Sequence, residues 1–487
     1  MIRVPWRRPE TALFVLTLAV YAYFFQAGGW NQNAHFDLTR AVVEQHTLVL
    51  DDYIANTGDW SVANHHYYSN KAPGLGLLAV PVYAAVHPLA HGDRVRAWVV
   101  HLGAYLSTVI CVAVPAAVAV AMLFRVARVM GAPPAAAAGL CVAWAFGTLA
   151  LPYATLLYSH QLTASLLFTA FGLLVTARAA RRFSPARMVA VGLFLGLAVA
   201  AEYPSALAGA VIAGYALAVV RPRHRLAWSA LGAGLPLLLL AAYHTAAFGG
   251  PLTTGYGATG DRARDGGLLL GIALPSARVL GKVVLSPGRG LLTHAPWLIL
   301  GVLGAIRFIQ DRARRPEGLA CLGVIVLGLA FNSSLTQPGD WAAGRGIGTR
   351  HLVPSLPFYV LGLVGLIGDW WRRPRVRAVI AAAFLALVAM SARRMLIATA
   401  VLPEVPLVDD PFADYLLPRW RAGEIAVNTI PVAGPANEDR TAWNLGQKMG
   451  LDGRTSLLPL AGIVGLAGAW LVRNVRRTVV MNDRPPS

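Results

Sequence analysis

The chain has 487 residues, of which 56% are hydrophobic and 13% charged, and its mean hydropathy is +0.55. A soluble protein carries about a quarter charged residues, so this composition excludes an ordinary soluble domain. The formal charge of +19 falls wholly on short turns between apolar blocks, as expected of cytoplasmic loops; it marks orientation and gives no reason to expect a nucleic acid partner.

The predicted elements are helices near 11–27, 95–122, 134–153, 160–178, 187–202, 204–220, 226–248, 295–310, 318–333, 352–370, 378–400 and 456–472, most of them close to the ~20 apolar residues that span a bilayer. The fold class is therefore an all-α polytopic membrane protein with about twelve transmembrane helices. The basic start (Arg3, Arg7, Arg8) before the first block resembles a signal peptide. No small-residue cleavage site follows Ala27, so the block is read as a retained helix. Basic clusters such as Arg178/Arg181/Arg182 and Arg221/Arg223/Arg225 mark inner turns. They place both termini in the cytoplasm and the long loops outside the membrane. Glu202-Tyr203-Pro204 is the outer turn of the 187–220 block. Cys111, Cys141 and Cys321 lie in apolar blocks, with neither metal-site nor disulfide spacing.

Four outer segments stand out within this single membrane domain: a first loop at 28–94, a second at 249–294, a short third at 334–351 and a last at 401–455. In the first, Phe36 to His46 reads as an amphipathic helix with Asp37, Arg40 and Glu44 on one face. Ala72 to Ala90 is apolar but holds Pro73, Pro81 and Pro88, which fits an interfacial or re-entrant helix. The tail from Asn482 to Ser487 reads as disordered.

The residues able to carry chemistry gather in these outer segments. Asp37 can serve as a general base toward an alcohol, or as a helix cap. Lys71, one of three lysines, stands at the mouth of an apolar segment, where it can hold a phosphate or snorkel. Asp59, Trp60, His66, Tyr68 and Asn70 surround it in sequence. His160 and Glu202 sit at the outer ends of apolar blocks, where ionisable groups are functional candidates because burying them is costly. Arg289, in Ser286-Pro287-Gly288-Arg289-Gly290, and Arg345 and Arg350, in the glycine-rich run from Gln337 to His351, offer forks that match phosphate oxygens; Trp341 lies in the same run. No cofactor is certain. A divalent metal ion held by Asp59 or His66 with His160 is the one candidate. Walker, GxSxG, HExxH and CxxC motifs are absent from the sequence, which argues against ATP-driven transport by this chain alone.

The order of one helix, a long outer loop with an early Asp37, then Tyr67-Tyr68-Ser69-Asn70-Lys71-Ala72-Pro73-Gly74 opening an interfacial helix, then many helices, resembles the class C (GT-C) glycosyltransferases. The branch it looks like holds protein O-mannosyltransferases and lipid A aminoarabinose transferases, the family 39-like enzymes. Trp341 to His351 is similar to a late Gly/Arg-rich outer segment of bacterial relatives. The likeness covers the first 220 residues and short motifs beyond. It departs where Asn70 stands in place of a Glu, where Asp37 lacks a paired acid, and where 401–455 has no counterpart.

The resemblance implies transfer of a sugar from a polyprenyl-phosphate donor to a hydroxyl on a lipid, polysaccharide or protein acceptor, on the outer face and with inversion. Asp37 would be the base. Lys71, Arg289, Arg345 and Arg350 would hold the phosphate, and Asp59, Trp60, His66, Tyr68, Asn70, His160, Glu202 and Trp341 would line the sugar and acceptor pocket. The rival expectations are a lipid-linked saccharide flippase or transporter, a ligase or polymerase using the same kind of donor, and a non-catalytic membrane protein of the same fold.

Overall fold

The computed structural model describes residues 8–90, 97–258, 272–335, 340–342, 344–371, 374–433 and 441–482. Gln337-Pro338-Gly339, much of the second outer loop and the end of the tail lie outside the described residues.

Among the described residues, seven helices are long and apolar enough to cross a membrane, and six shorter apolar helices accompany them. This is an all-α polytopic membrane protein. Helices are the natural solution here, because lipid offers no hydrogen bonds and a helix satisfies its backbone internally. Helices Pro185–Ala201 and Ser205–Val219 flank a turn at Glu202, where the sequence puts one. The expected 95–122 helix extends through a π-helical turn at Val109–Ala113 to Val129.

Helix α1 (Pro9–Tyr21) ends earlier than its apolar block. The chain then makes a short strand β1 (Phe24–Phe25), turns at Gly28-Gly29 and enters helix α2 (Trp30–Glu44), six residues before the expected amphipathic segment. Every residue of α2 from Asn31 to Ala41 is buried, polar ones included. Asp37, Arg40 and Glu44 share a face as expected, but that face is covered by protein: Arg40 pairs with Glu44 Oε1 at 2.8 Å, and Tyr83 and Tyr53 donate to the same carboxylate at 2.6 and 3.0 Å.

Strands β2 (Trp60–Ala63) and β3 (His66–Ser69) form an antiparallel hairpin in which Ala63 faces His66 and Trp60 faces Ser69. Its two turn residues, Asn64 and His65, have φ of 50° and 67°, the left-handed pair that a tight two-residue hairpin requires. The hairpin hands over to helix α3 (Gly74–Val86), which packs against α2. A Cβ at Gly74 would lie 2.5 Å from the Ala200 carbonyl carbon. Only glycine lets the start of α3 touch the helix that ends at Glu202.

The segment 401–455 folds back onto the first long loop. Strand β4 (Trp443–Asn444) pairs antiparallel with β1, Gly28 N–H donates to the Ile430 carbonyl at 3.0 Å, and Asn428 Nδ2 donates to the Gln26 and Gly28 carbonyls, each at 2.7 Å. This docking carries residues 402–406 to the N-terminus of α2.

Candidate active site

Lys71 follows the hairpin, and the ladder sets its partner: Asn70 N–H donates to the Asp59 carbonyl at 3.1 Å. Asp59 and Lys71 thus leave the two strands side by side, with Lys71 Nζ 3.0 Å from Asp59 Oδ1. The ammonium also lies over the Tyr256 ring, 5.5 Å from its centroid. Burial opposes its charge, but Tyr256 and Asp59 outweigh this and hold its pKa above the ordinary lysine value. Lys71 is a fixed, protonated cation.

Arg350 opens the 3-10 turn Arg350–Ser355. Its guanidinium stacks on Tyr158, 5.3 Å from the centroid, and donates to the Tyr158 hydroxyl at 3.5 Å, while its buried Nε has no hydrogen-bond partner among the described residues. The charges of Lys71, Arg350 and Asp59 are close enough to act on one another. Two cations and an open donor therefore converge on one place.

Glu404, which sequence reasoning missed, completes this cluster. Tyr158 donates to its Oε1 and Gln32 Nε2 to its Oε2, the latter at 3.4 Å. Gln32 is held in turn by the Leu157 N–H at 3.1 Å. A Cβ at Gly29 would fall 1.8 Å from Glu404 Oε2, so the glycine makes the room for this carboxyl. Burial raises Glu404 from 4.5 to about 7 against the pull of Tyr158 and Arg350. A carboxyl held there changes protonation at neutral pH.

Asp37 is fully buried on α2. Asn56 Nδ2 donates to its Oδ1 at 3.1 Å and Arg40 Nη1 lies 3.9 Å from that atom; Oδ2 has no partner among the described residues. Burial raises its pKa to about 8, against Arg40 and Asn56. The charges that act on Asp37 are those of Arg40 and Glu44. His35, two residues away and so about 200° around the helix, is the α2 residue that feels Lys71, Asp59, Glu202 and His160.

The remaining expected residues divide. His160, at the start of helix Ser159–Ala179, lies with its Nδ1 3.1 Å from Glu202 Oε2, and its ring is 5.0 Å from that of His351. One ligand atom from each of His160, Glu202 and His351 lies within 4.8 Å of the others. A cavity of about 40 Å³ opens beside the three. The metal-capable set is thus His160 with Glu202 and His351 rather than with His66 or Asp59. His66 is exposed and pairs with Asp51 at 2.7 Å. Trp60 stacks edge-on against Tyr67, and Tyr68 packs on Phe248 in a separate apolar cluster. Asn70 is buried with its Oδ1 unpartnered among the described residues. Trp341 lies under Lys282.

Arg289 is buried and donates to the carbonyls of Gly346 at 2.6 Å, Gly344 at 3.3 Å and Pro406 at 2.9 Å. It ties the glycine-rich run to the segment that carries Glu404. Arg345 is exposed, and its carbonyl accepts from Arg350 at 3.4 Å.

No family model matches the chain, and no curated protein matches it. Among solved structures it is similar to the apo oligosaccharyltransferase of Archaeoglobus fulgidus, at 12% identity and a TM-score of 0.48, over 89% of this chain and 60% of that one. It is similar to apo ArnT from Cupriavidus metallidurans, at 15% identity and a TM-score of 0.47, over 95% of this chain and 73% of that one. A further similar structure is ArnT from Cupriavidus metallidurans bound to undecaprenyl phosphate, at 14% identity and a TM-score of 0.44, over 80% and 70% of the two chains. The chain thus spans 60% of the length of the oligosaccharyltransferase, and the likenesses stop at the course of the helices.

Proposed function

We propose that the chain is a membrane glycosyltransferase that moves a sugar from a polyprenyl-phosphate donor to an acceptor hydroxyl on the extracytoplasmic face. The observation that carries this reading is the convergence of Lys71, Arg350, Asp59, Tyr158 and Glu404 on one place. A lipid-linked donor offers a phosphate at the membrane surface. Lys71 and Arg350 would bind its oxygens and stabilise the charge that grows as the phosphate leaves. The acceptor oxygen attacks the anomeric carbon from the opposite side, the bond from that carbon to the phosphate oxygen breaks, and the electron pair leaves with the phosphate. The acceptor proton goes to a carboxylate.

We assign that proton to Glu404, which lies beside Arg350 through Tyr158 and is poised near neutrality. A second reading keeps Asp37 as the base, favoured by an Oδ2 without a partner among the described residues and a pKa of about 8. The residues His160, Glu202 and His351 fit a divalent metal: two imidazoles and a carboxylate, with His160 Nε2 lacking a hydrogen-bond partner among the described residues, form a common zinc donor set. When bound, such an ion adds positive charge near the leaving group.

The test is transfer of labelled sugar from a synthetic polyprenyl-phosphate donor by the purified protein in liposomes, with the single variants Glu404→Gln and Asp37→Asn. Loss of transfer in Glu404→Gln with transfer kept in Asp37→Asn supports the first assignment, and the reverse supports the second. A protein that moves the intact donor across the bilayer without consuming it is a flippase, and the enzyme reading then fails.

A further inference from the structure

A second cavity lies at the other end of the bundle. Helix Ser159–Ala179 starts beside the candidate site and reaches Arg178 eighteen residues beyond His160, roughly 27 Å away at helical rise. Around Arg178 is a cavity of about 580 Å³. Arg178, Arg181, Arg221 and Arg314 line it with a single carboxylate, Glu317, and the rest of its wall is largely apolar, including Phe183.

The charges here are incompletely matched. Arg178 pairs with Glu317 and donates to the Ala313 carbonyl at 3.0 Å. Arg314 reaches Asp311, outside the lining, at 3.6 Å. Arg221 donates to the Val220 carbonyl at 2.7 Å, and Arg181 is exposed. Glu317 is buried, and its Oε2 has no hydrogen-bond partner among the described residues. Arginines that only snorkel splay outward to the head-group layer. These instead surround a volume large enough for a small molecule, with an apolar wall.

We propose that this cavity binds a phosphate ester of net negative charge, such as a phosphoglycerol. The arginine forks take the phosphate oxygens, and the apolar wall takes the glycerol and the start of the acyl chains. The source is a membrane lipid or a soluble phosphoglycerol, and the two are separable. Basic pockets between transmembrane helices are suited to anionic head groups.

The test uses delipidated full-length protein in detergent, titrated with phosphatidylglycerol, with phosphatidylcholine as a zwitterionic control and with glycerol phosphate as the soluble form. Binding is read by native mass spectrometry and by the shift in melting temperature. The variant is Arg181→Gln with Arg221→Gln, both exposed, and Arg314→Gln is a second, independent one. Wild type should bind phosphatidylglycerol at least about tenfold more tightly than phosphatidylcholine. Each arginine removed should weaken binding roughly fivefold, and about 25-fold for the double variant. Equal affinity for glycerol phosphate supports the site and names the soluble source; weak binding of it names the lipid. Equal binding of the two lipids, or unchanged phosphatidylglycerol binding in both variants, overturns the proposal.

Discussion

Glu404→Gln gives a prediction whose sign and size follow from the structure. The carboxyl is 8% exposed, and burial lifts it from 4.5 to about 7. Between those values the unfolded chain has released this proton and the folded chain still holds it. Stability from this group is therefore fully present below 4.5, falls as pH rises through the interval, and is flat above 7. The interval corresponds to about 3 kcal/mol. Glutamine never ionises and has no such dependence. Its single amide oxygen can replace only one of the two carboxylate oxygens that accept from Tyr158 and Gln32, a cost that does not vary with pH. The measurement is the melting temperature of purified wild type and variant in detergent from pH 4.5 to 7.5. The gap between them should move by several degrees in favour of the variant as pH rises, while every other titrating group cancels in the comparison. Parallel curves, or a gap that moves the other way, would refute the burial argument.

Lys71→Met and Arg350→Gln should each lower the turnover of sugar transfer about 10²- to 10³-fold, the usual effect of losing one donor to a developing oxyanion, as read in a steady-state transfer assay. Arg289→Ala should act on folding instead, because it strands three backbone carbonyls at roughly 1–3 kcal/mol each; melting temperature should drop while donor affinity of the folded protein holds. His351→Ala should abolish stoichiometric zinc or manganese retained after dialysis, measured by elemental analysis. If Glu404 is the base, transfer should rise with pH through about 7 in wild type; a limb near 8 would point to Asp37 instead.

The twelve apolar segments were legible because length and hydropathy are local properties, and all of them appear as helices. The turn at Glu202 and the loaded stretch from Asp59 to Gly74 were also readable, since Pro204, the lysine and the aromatics announce themselves. The β2–β3 hairpin was not. Asn64-His65 is a weak turn signal beside Asn-Gly, and only the left-handed φ values expose it. Glu404 was invisible for a different reason: its partners are Gln32 and Tyr158, 372 and 246 residues away. The one local hint was an acid between two prolines, Pro403 and Pro406, next to a long helix. His351 escaped notice as the last residue of an arginine-glycine run, and only the meeting of three helix ends makes it a partner of His160. Arg289 shows another limit of local reading: its guanidinium donates to the carbonyls of Gly344 and Gly346, glycines of the other arginine run, which its own neighbours Gly288 and Gly290 do not announce.

The central claim is tested most directly by incubating the purified protein in liposomes with a labelled polyprenyl-phosphate sugar and a cell-envelope extract as the source of acceptors, and following the release of free polyprenyl phosphate. The account predicts release with label moved to an acceptor by wild type, and about 10²- to 10³-fold less of both with Lys71→Met. A donor that binds wild type and Lys71→Met alike, or that is never consumed, would contradict it.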